Sequence, residues 1–196
     1  MEKFQLWAEP WWVNLLVLIP LVVFWLWRRN GLLLAKRQLI VLAIFAASFG
    51  FVEAAVVVYL RAAVGLLPGY QGTLSDVRHS SGSYQQEKSI NEFPPSLMTI
   101  EVAREAATII MLVSVALLAA TKAGERWVSF LWAFAVWDIA YYVALWATVR
   151  WPSSLKDLDV LFLIPVPWVA QVWFPLLVSG LSLLAVGLSR KNRGVS

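Results

Sequence analysis

The run Leu39-Ile-Val-Leu-Ala-Ile-Phe-Ala-Ala-Ser-Phe-Gly50-Phe-Val-Glu53-Ala-Ala-Val-Val-Val-Tyr-Leu60 carries one carboxyl side chain, a glutamate, in an otherwise apolar stretch. As a helix rising about 1.5 Å per residue, it matches the roughly 30 Å hydrocarbon core of a bilayer. A carboxylate inside such a segment costs roughly 2.5–3.5 kcal/mol on insertion scales, and normally has a partner or a function. Glu53 has company. Glu101, Arg104 and Glu105 open a second apolar run, and Asp138 lies near the middle of a third.

Composition agrees with a membrane class. Of 196 residues, 60% are hydrophobic and 14% charged, and the mean hydropathy is +0.71. Soluble domains carry about 25% charged residues. The longest polar stretch, Gly69 to Asn91, is too short to bury a core of its own, so a single transmembrane domain over residues 1–196 is expected. The chain has no cysteine, which excludes disulfides, thiolate metal sites and iron–sulfur clusters. Its single histidine, His79, lies in the polar loop, so no haem ligand pair is expected. Nothing in the chain reads as a nucleic-acid-binding element.

Five segments are long enough to span: about Trp11–Trp27, Leu39–Leu60, Leu97–Ala120, Trp127–Val149 and Leu161–Leu188. The expected fold is therefore all-α, an integral membrane bundle of five transmembrane helices. Pro20 interrupts the first segment, whose leading Glu2 and Lys3 and trailing Arg28 and Arg29 read as an uncleaved anchor. Arg28, Arg29, Lys36 and Arg37 crowd the first loop, Lys122 and Arg126 the third, and Arg190, Lys191 and Arg193 the tail. The positive-inside rule puts these segments in the cytoplasm, with the amino terminus outside and the carboxyl terminus inside. The loop 61–96 then faces outward, as does the shorter loop Arg150–Asp159. Most of the twelve tryptophans, among them Trp7, Trp11, Trp25, Trp127, Trp146 and Trp151, fall where an interfacial belt needs them. Trp132, Trp137, Trp168 and Trp173 fall deeper. No internal repeat is evident, and an odd number of spans argues against a transporter built from two matched halves.

In depth the charges converge. Glu53 lies about 21 Å above the inner end of its span, Glu101 and Glu105 about 6 and 12 Å below the outer end of theirs, and Asp138 about 16 Å up. All occupy one half of the membrane, the outer half on this orientation. Glu101 and Glu105, four residues apart, share a helix face with Arg104 beside them. Asp138, Tyr141 and Tyr142 form a second stripe. Gly50, one turn below Glu53, lets a neighbouring helix approach. Pro165, Pro167 and Pro175 disturb the outer half of the fifth segment, and Pro175 would free the carbonyl of Gln171 toward a neighbour or ligand.

Glu53, Glu101, Glu105 and Asp138 are thus candidates to bind a proton, a cation or a polar head group. Arg61 and Arg104 would balance charge, and Tyr141, Tyr142 and Gln171 would support. Arg104 can pair with Glu101 or Glu105, and Arg61 with another acid; two of the four acids then remain to be protonated, hydrated or bound to a cation. Oxygen ligands suit magnesium, calcium or manganese, whereas the Glu-x-x-His motif of di-iron sites is absent. Transport or a proton relay is one function that such a layer serves. Another is that of an accessory subunit packing in a larger membrane complex, docked through Ser80, Ser81, Ser83, Tyr84, Gln85 and Gln86. A third is an enzyme acting on a lipid-linked substrate, though no nucleophile with an attached base is apparent. Ser179 and Ser182 read as small packing residues.

Three runs, Glu101-Val-Ala-Arg104-Glu105, Trp137-Asp138-Ile-Ala-Tyr141-Tyr142 and Leu163-Ile-Pro165-Val-Pro167-Trp168, resemble stretches in uncharacterised small multi-pass bacterial membrane proteins. The resemblance covers the second half of the chain. It implies a bacterial cytoplasmic membrane and brings no activity, cofactor or catalytic residue.

Overall fold

A computed structural model describes residues 5–29, 31, 34–63 and 95–190, with the backbone alone for residues 61, 63, 95 and 96. A 3₁₀ stretch, Trp11–Val17, runs into α1, Leu18–Trp27; α2 spans Lys36–Ala63, α3 Pro95–Ala119 and α4 Ala123–Val149. The strands β1, Leu158–Phe162, and β2, Trp168–Gln171, precede α5, Trp173–Ser189. The fold is mostly helical. Three of its helices, over Lys36–Leu60, Leu97–Ala119 and Ala123–Val149, are long and apolar enough to cross a membrane. Their outward faces carry exposed apolar residues, including Ile40, Val41, Ile44, Phe51 and Val52 on α2 and Ile110, Met111 and Leu118 on α3. Water does not favour so large an apolar surface, and hydrocarbon accommodates it.

The fifth apolar segment departs from expectation. Residues 161–188 are not one helix, because the first third is an antiparallel hairpin. Leu158 pairs with Gln171, Asp159 with Ala170 and Val160 with Val169, before an irregularity brings Phe162 opposite Trp168. The cause lies in Ile164-Pro165-Val166-Pro167. Each proline removes an N–H donor and biases the residue before it toward extended backbone, which blocks a helix and suits a turn between two strands. The free edge of β2 is met in turn by the chain's beginning: Glu9 N–H donates to the Val169 carbonyl at 2.8 Å, and Val169 N–H to the Glu9 carbonyl at 2.7 Å. Pro175 is then the third residue of α5, where a missing N–H breaks no helical bond. Gln171 itself ends β2 opposite Leu158, so its carbonyl belongs to a strand and not to a kinked helix. The N–H groups of Val172 and Trp173 donate to the carbonyls of Asp157 and Leu155 in the preceding loop.

The helices pack through α4, which touches α2 along most of its length and α3 and α5 on its other sides. Gly50 makes the α2–α4 contact possible. A β-carbon built there would lie 2.5 Å from the Trp137 carbonyl oxygen and 3.0 Å from the Tyr141 nitrogen. The indole of Trp132 ties the same pair together at the other end, donating to the Leu39 carbonyl at 3.0 Å. Trp151, placed by its position in an interfacial belt, is core: it is 1% exposed and packs at a tilt against Tyr142, with centroids 6.1 Å apart. The basic connections gather at one end, where Gln38 donates to the Ala119 carbonyl and Arg126 to the Ala120 carbonyl. The hairpin lies at the opposite end, beside the start of the 3₁₀ stretch.

Gly50→Val should force α2 and α4 apart against rigid backbone, at a cost of about 1–3 kcal/mol. A thermal-unfolding midpoint in detergent equal to that of the unsubstituted protein would contradict this packing.

Candidate functional site

All five α-helices, the 3₁₀ stretch and both strands line a cavity of about 590 Å³. Its lining runs along α4 from Trp127 to Tyr142, a length of about 22 Å. One end is apolar, walled by Trp127, Phe130, Leu131 and Phe134 of α4 with Ile19 of α1. The other is polar, lined by Glu53, Glu101, Arg104, Glu105, Thr108, Asp138, Tyr142 and Asp159. The acids come from α2, α3, α4 and β1, and each is at most 9% exposed.

Arg104 is the hub. Its Nε and Nη2 donate to Glu101 at 3.1 and 2.8 Å, one turn away on α3, and its Nη1 forms an ion pair with Glu53 across on α2. Thr108, one turn further along α3, donates to the other oxygen of Glu53 at 2.5 Å. Pairing at i, i+3 within a helix explains Glu101. The cross-helix partner is Glu53, not Glu105, because Glu105 turns the other way and accepts the Leu163 N–H of the hairpin at 2.7 Å. That N–H lies just past the end of β1, where a proline-closed turn leaves it without a strand partner.

Asp138 accepts the Ser179 hydroxyl of α5 at 2.7 Å, and Tyr142 donates to Asp159 at 2.5 Å. Ser179 is therefore a polar partner in the site and not simply a small packing residue. Ser182 turns its hydroxyl to the Val178 carbonyl of its own helix. Tyr141 stacks on Trp137 with centroids 6.1 Å apart and also lines the cavity. Gln171 is buried but stands apart from the cavity lining, its side-chain oxygen accepting the Trp173 indole N–H at 3.2 Å. The Arg61 side chain, His79, the serine-rich stretch Ser80–Gln86 and the rest of loop 64–94 lie outside the described residues.

The arithmetic of four acids and one deep arginine resolves in a specific way. Glu53 and Glu101 share Arg104, whereas Glu105 and Asp138 are held by neutral donors. Among the described residues no group of three or more His, Asp or Glu side chains is arranged to hold a metal ion. The four candidate carboxylates thus do not gather into one ligand set, although all of them line the cavity. Two members of the site escaped the sequence reading. Asp159 was placed in an outer loop, and only the hairpin carries it back against Tyr142; its alternation with Leu158 and Val160 was the available signal. Thr108 lies one turn beyond Arg104, on the face that Glu101 and Arg104 already mark.

Arg104→Met should leave Glu53 and Glu101 buried without their cation. Removing one partner of a buried pair costs about 3–5 kcal/mol, and the lower figure applies here because the Arg104 side chain is 22% exposed. Adding Glu53→Gln should recover part of the loss in a thermal-unfolding assay, and strict additivity of the two changes would show that they do not interact. Comparison with protein-family models, with curated proteins and with solved structures gives no match for this chain.

Proposed function

We propose that this protein is a five-span membrane protein, amino terminus outside, that binds an amphiphilic molecule in its outer leaflet. The polar head would sit against the carboxylate and arginine layer, and the apolar chain against the aromatic half of the cavity. The observation that carries the reading is the cavity's division into a polar and an apolar end along about 22 Å of α4, a shape and size suited to a lipid-like ligand. The run of basic loops supports the orientation, and the resemblance of three runs to bacterial proteins supports a bacterial cytoplasmic membrane.

Lengths are compatible with five spans. The 3₁₀ stretch rises about 2.0 Å per residue over 7 residues and α1 about 1.5 Å over 10, together about 29 Å. The 17 residues of α5 reach about 26 Å, and the hairpin fills the remaining depth. Backbone that is neither helix nor closed barrel is tolerated at membrane depth only where protein covers it, and the Glu9 bridge and the Glu105 carboxylate supply that cover.

Binding of this kind serves lipid transport or a step on a lipid-linked substrate equally well. A proton relay is a second reading, favoured by the short Tyr142–Asp159 contact next to Asp138 and Ser179. An accessory role in a larger complex would use the same acids against a partner's basic residues.

Native mass spectrometry of the protein released from membranes should reveal a retained amphiphile. Ile19→Trp, which fills the apolar half, should remove it without preventing insertion, and reporter fusions should place the two termini on opposite sides. Absence of any adduct from the unsubstituted protein, with a stable protein partner in its place, would replace this reading with the accessory one.

A further inference from the structure

The polar end of the cavity is unbalanced in a way that selects among head groups. Most of its described donors are already engaged with its own carboxylates, whereas the indole N–H groups of Trp137 and Trp168, which also line it, have no partner. Arg104 faces Glu53 and Glu101, Thr108 donates to Glu53, the Leu163 N–H to Glu105, Ser179 to Asp138 and Tyr142 to Asp159. What remains over on the carboxylates is acceptor capacity. A carboxylate offers about four lone-pair sites on two oxygens. Asp138 and Glu105, each 8% exposed and each lining the cavity, make one hydrogen bond apiece, through Oδ2 and Oε2. Among the described residues Oδ1 of Asp138 and Oε1 of Glu105 have no hydrogen-bond donor.

An anionic head group fits this lining badly. The two indole N–H groups could donate to it, but the one deep cation, Arg104, is held by two carboxylates, and the anion would bring more negative charge into a low-dielectric space that already holds several acids. A donor-rich cation meets both requirements, giving hydrogen bonds to the two oxygens and offsetting their charge. The wall beside Asp138 points the same way. Phe134, Trp137, Tyr141, Phe162 and Trp168 line the cavity as one chain of ring contacts, with centroids 5.4 Å apart for Phe134–Trp137 and for Phe162–Trp168, and 6.2 Å for Phe134–Phe162. Ring faces carry negative quadrupole density and attract ammonium groups.

We infer that the ligand's head group is a protonated amine carried on an apolar chain, held by Asp138 and Glu105 against this aromatic wall. The inference builds on the amphiphile-binding reading and narrows it to one class. A primary ammonium supplies three donors, enough for both free oxygens and one more acceptor.

The test uses the full chain in phosphatidylcholine nanodiscs doped with dodecylamine, dodecyl glucoside and dodecyl phosphate at equal mole fractions. Bound adducts are then counted by native mass spectrometry. Dodecylamine should exceed dodecyl phosphate by at least about tenfold, the effect of one charge-assisted hydrogen bond. Asp138→Asn with Glu105→Gln should reduce the amine adduct by about tenfold or more and the glucoside adduct by clearly less. The competition on the unsubstituted protein stands even if that double variant fails to fold. Preference for the glucoside or the phosphate overturns the amine assignment and leaves amphiphile binding intact. Failure of all three probes to bind overturns both.

Discussion

Arg104 holds two carboxylates at once, and the rest of the polar layer is arranged around that arrangement. The guanidinium is planar and offers five N–H groups in a fixed fork, so it can face Glu101 through two nitrogens and still reach Glu53 with the third. A lysine in its place would supply charge without that geometry. Because Glu101 lies on the same helix and Glu53 on another, the local pair fixes the rotamer that makes the long-range pair, and α3 is registered against α2. With Arg104 taken by these two, Glu105 is left to face the hairpin.

The hairpin is the second constraint, and it follows from the prolines. Two of them in four residues forbid a helix, and the backbone they leave extended must still satisfy its N–H and C=O groups away from water. It does so through strand pairing, through the Glu9 bridge and through the carboxylate of Glu105. The result closes the polar end of the cavity with a structure whose own inward residues, Asp159 and Phe162, become part of the lining.

Much of this was legible in advance. Apolar length identified α2, α3 and α4, and depth arithmetic alone put Glu53, Glu101, Glu105 and Asp138 in one layer, because a helix converts residue number to height. Gly50 could be read as a close approach, although its neighbour, the Trp137 carbonyl, could not be named. What resisted was pairing. The choice of Glu53 over Glu105 by Arg104 depends on which way two side chains turn, and helical spacing permits both. The hairpin is hidden because an apolar run reads as a span, and prolines inside it read as kinks in a helix although here they are the reason for its absence. Ser179 and Asp159 are hidden with it, since each finds its partner only once the chain doubles back.

Glu105 belongs to two structures at once. One oxygen anchors the closing turn through Leu163, and the other borders the interior space. Any molecule that draws this carboxylate inward weakens the tether, and any movement of the turn alters the carboxylate's readiness to receive a guest. Thermodynamic reciprocity requires the two effects to be equal in factor. A single side chain thereby makes opening of the fold and occupancy of its interior one linked equilibrium.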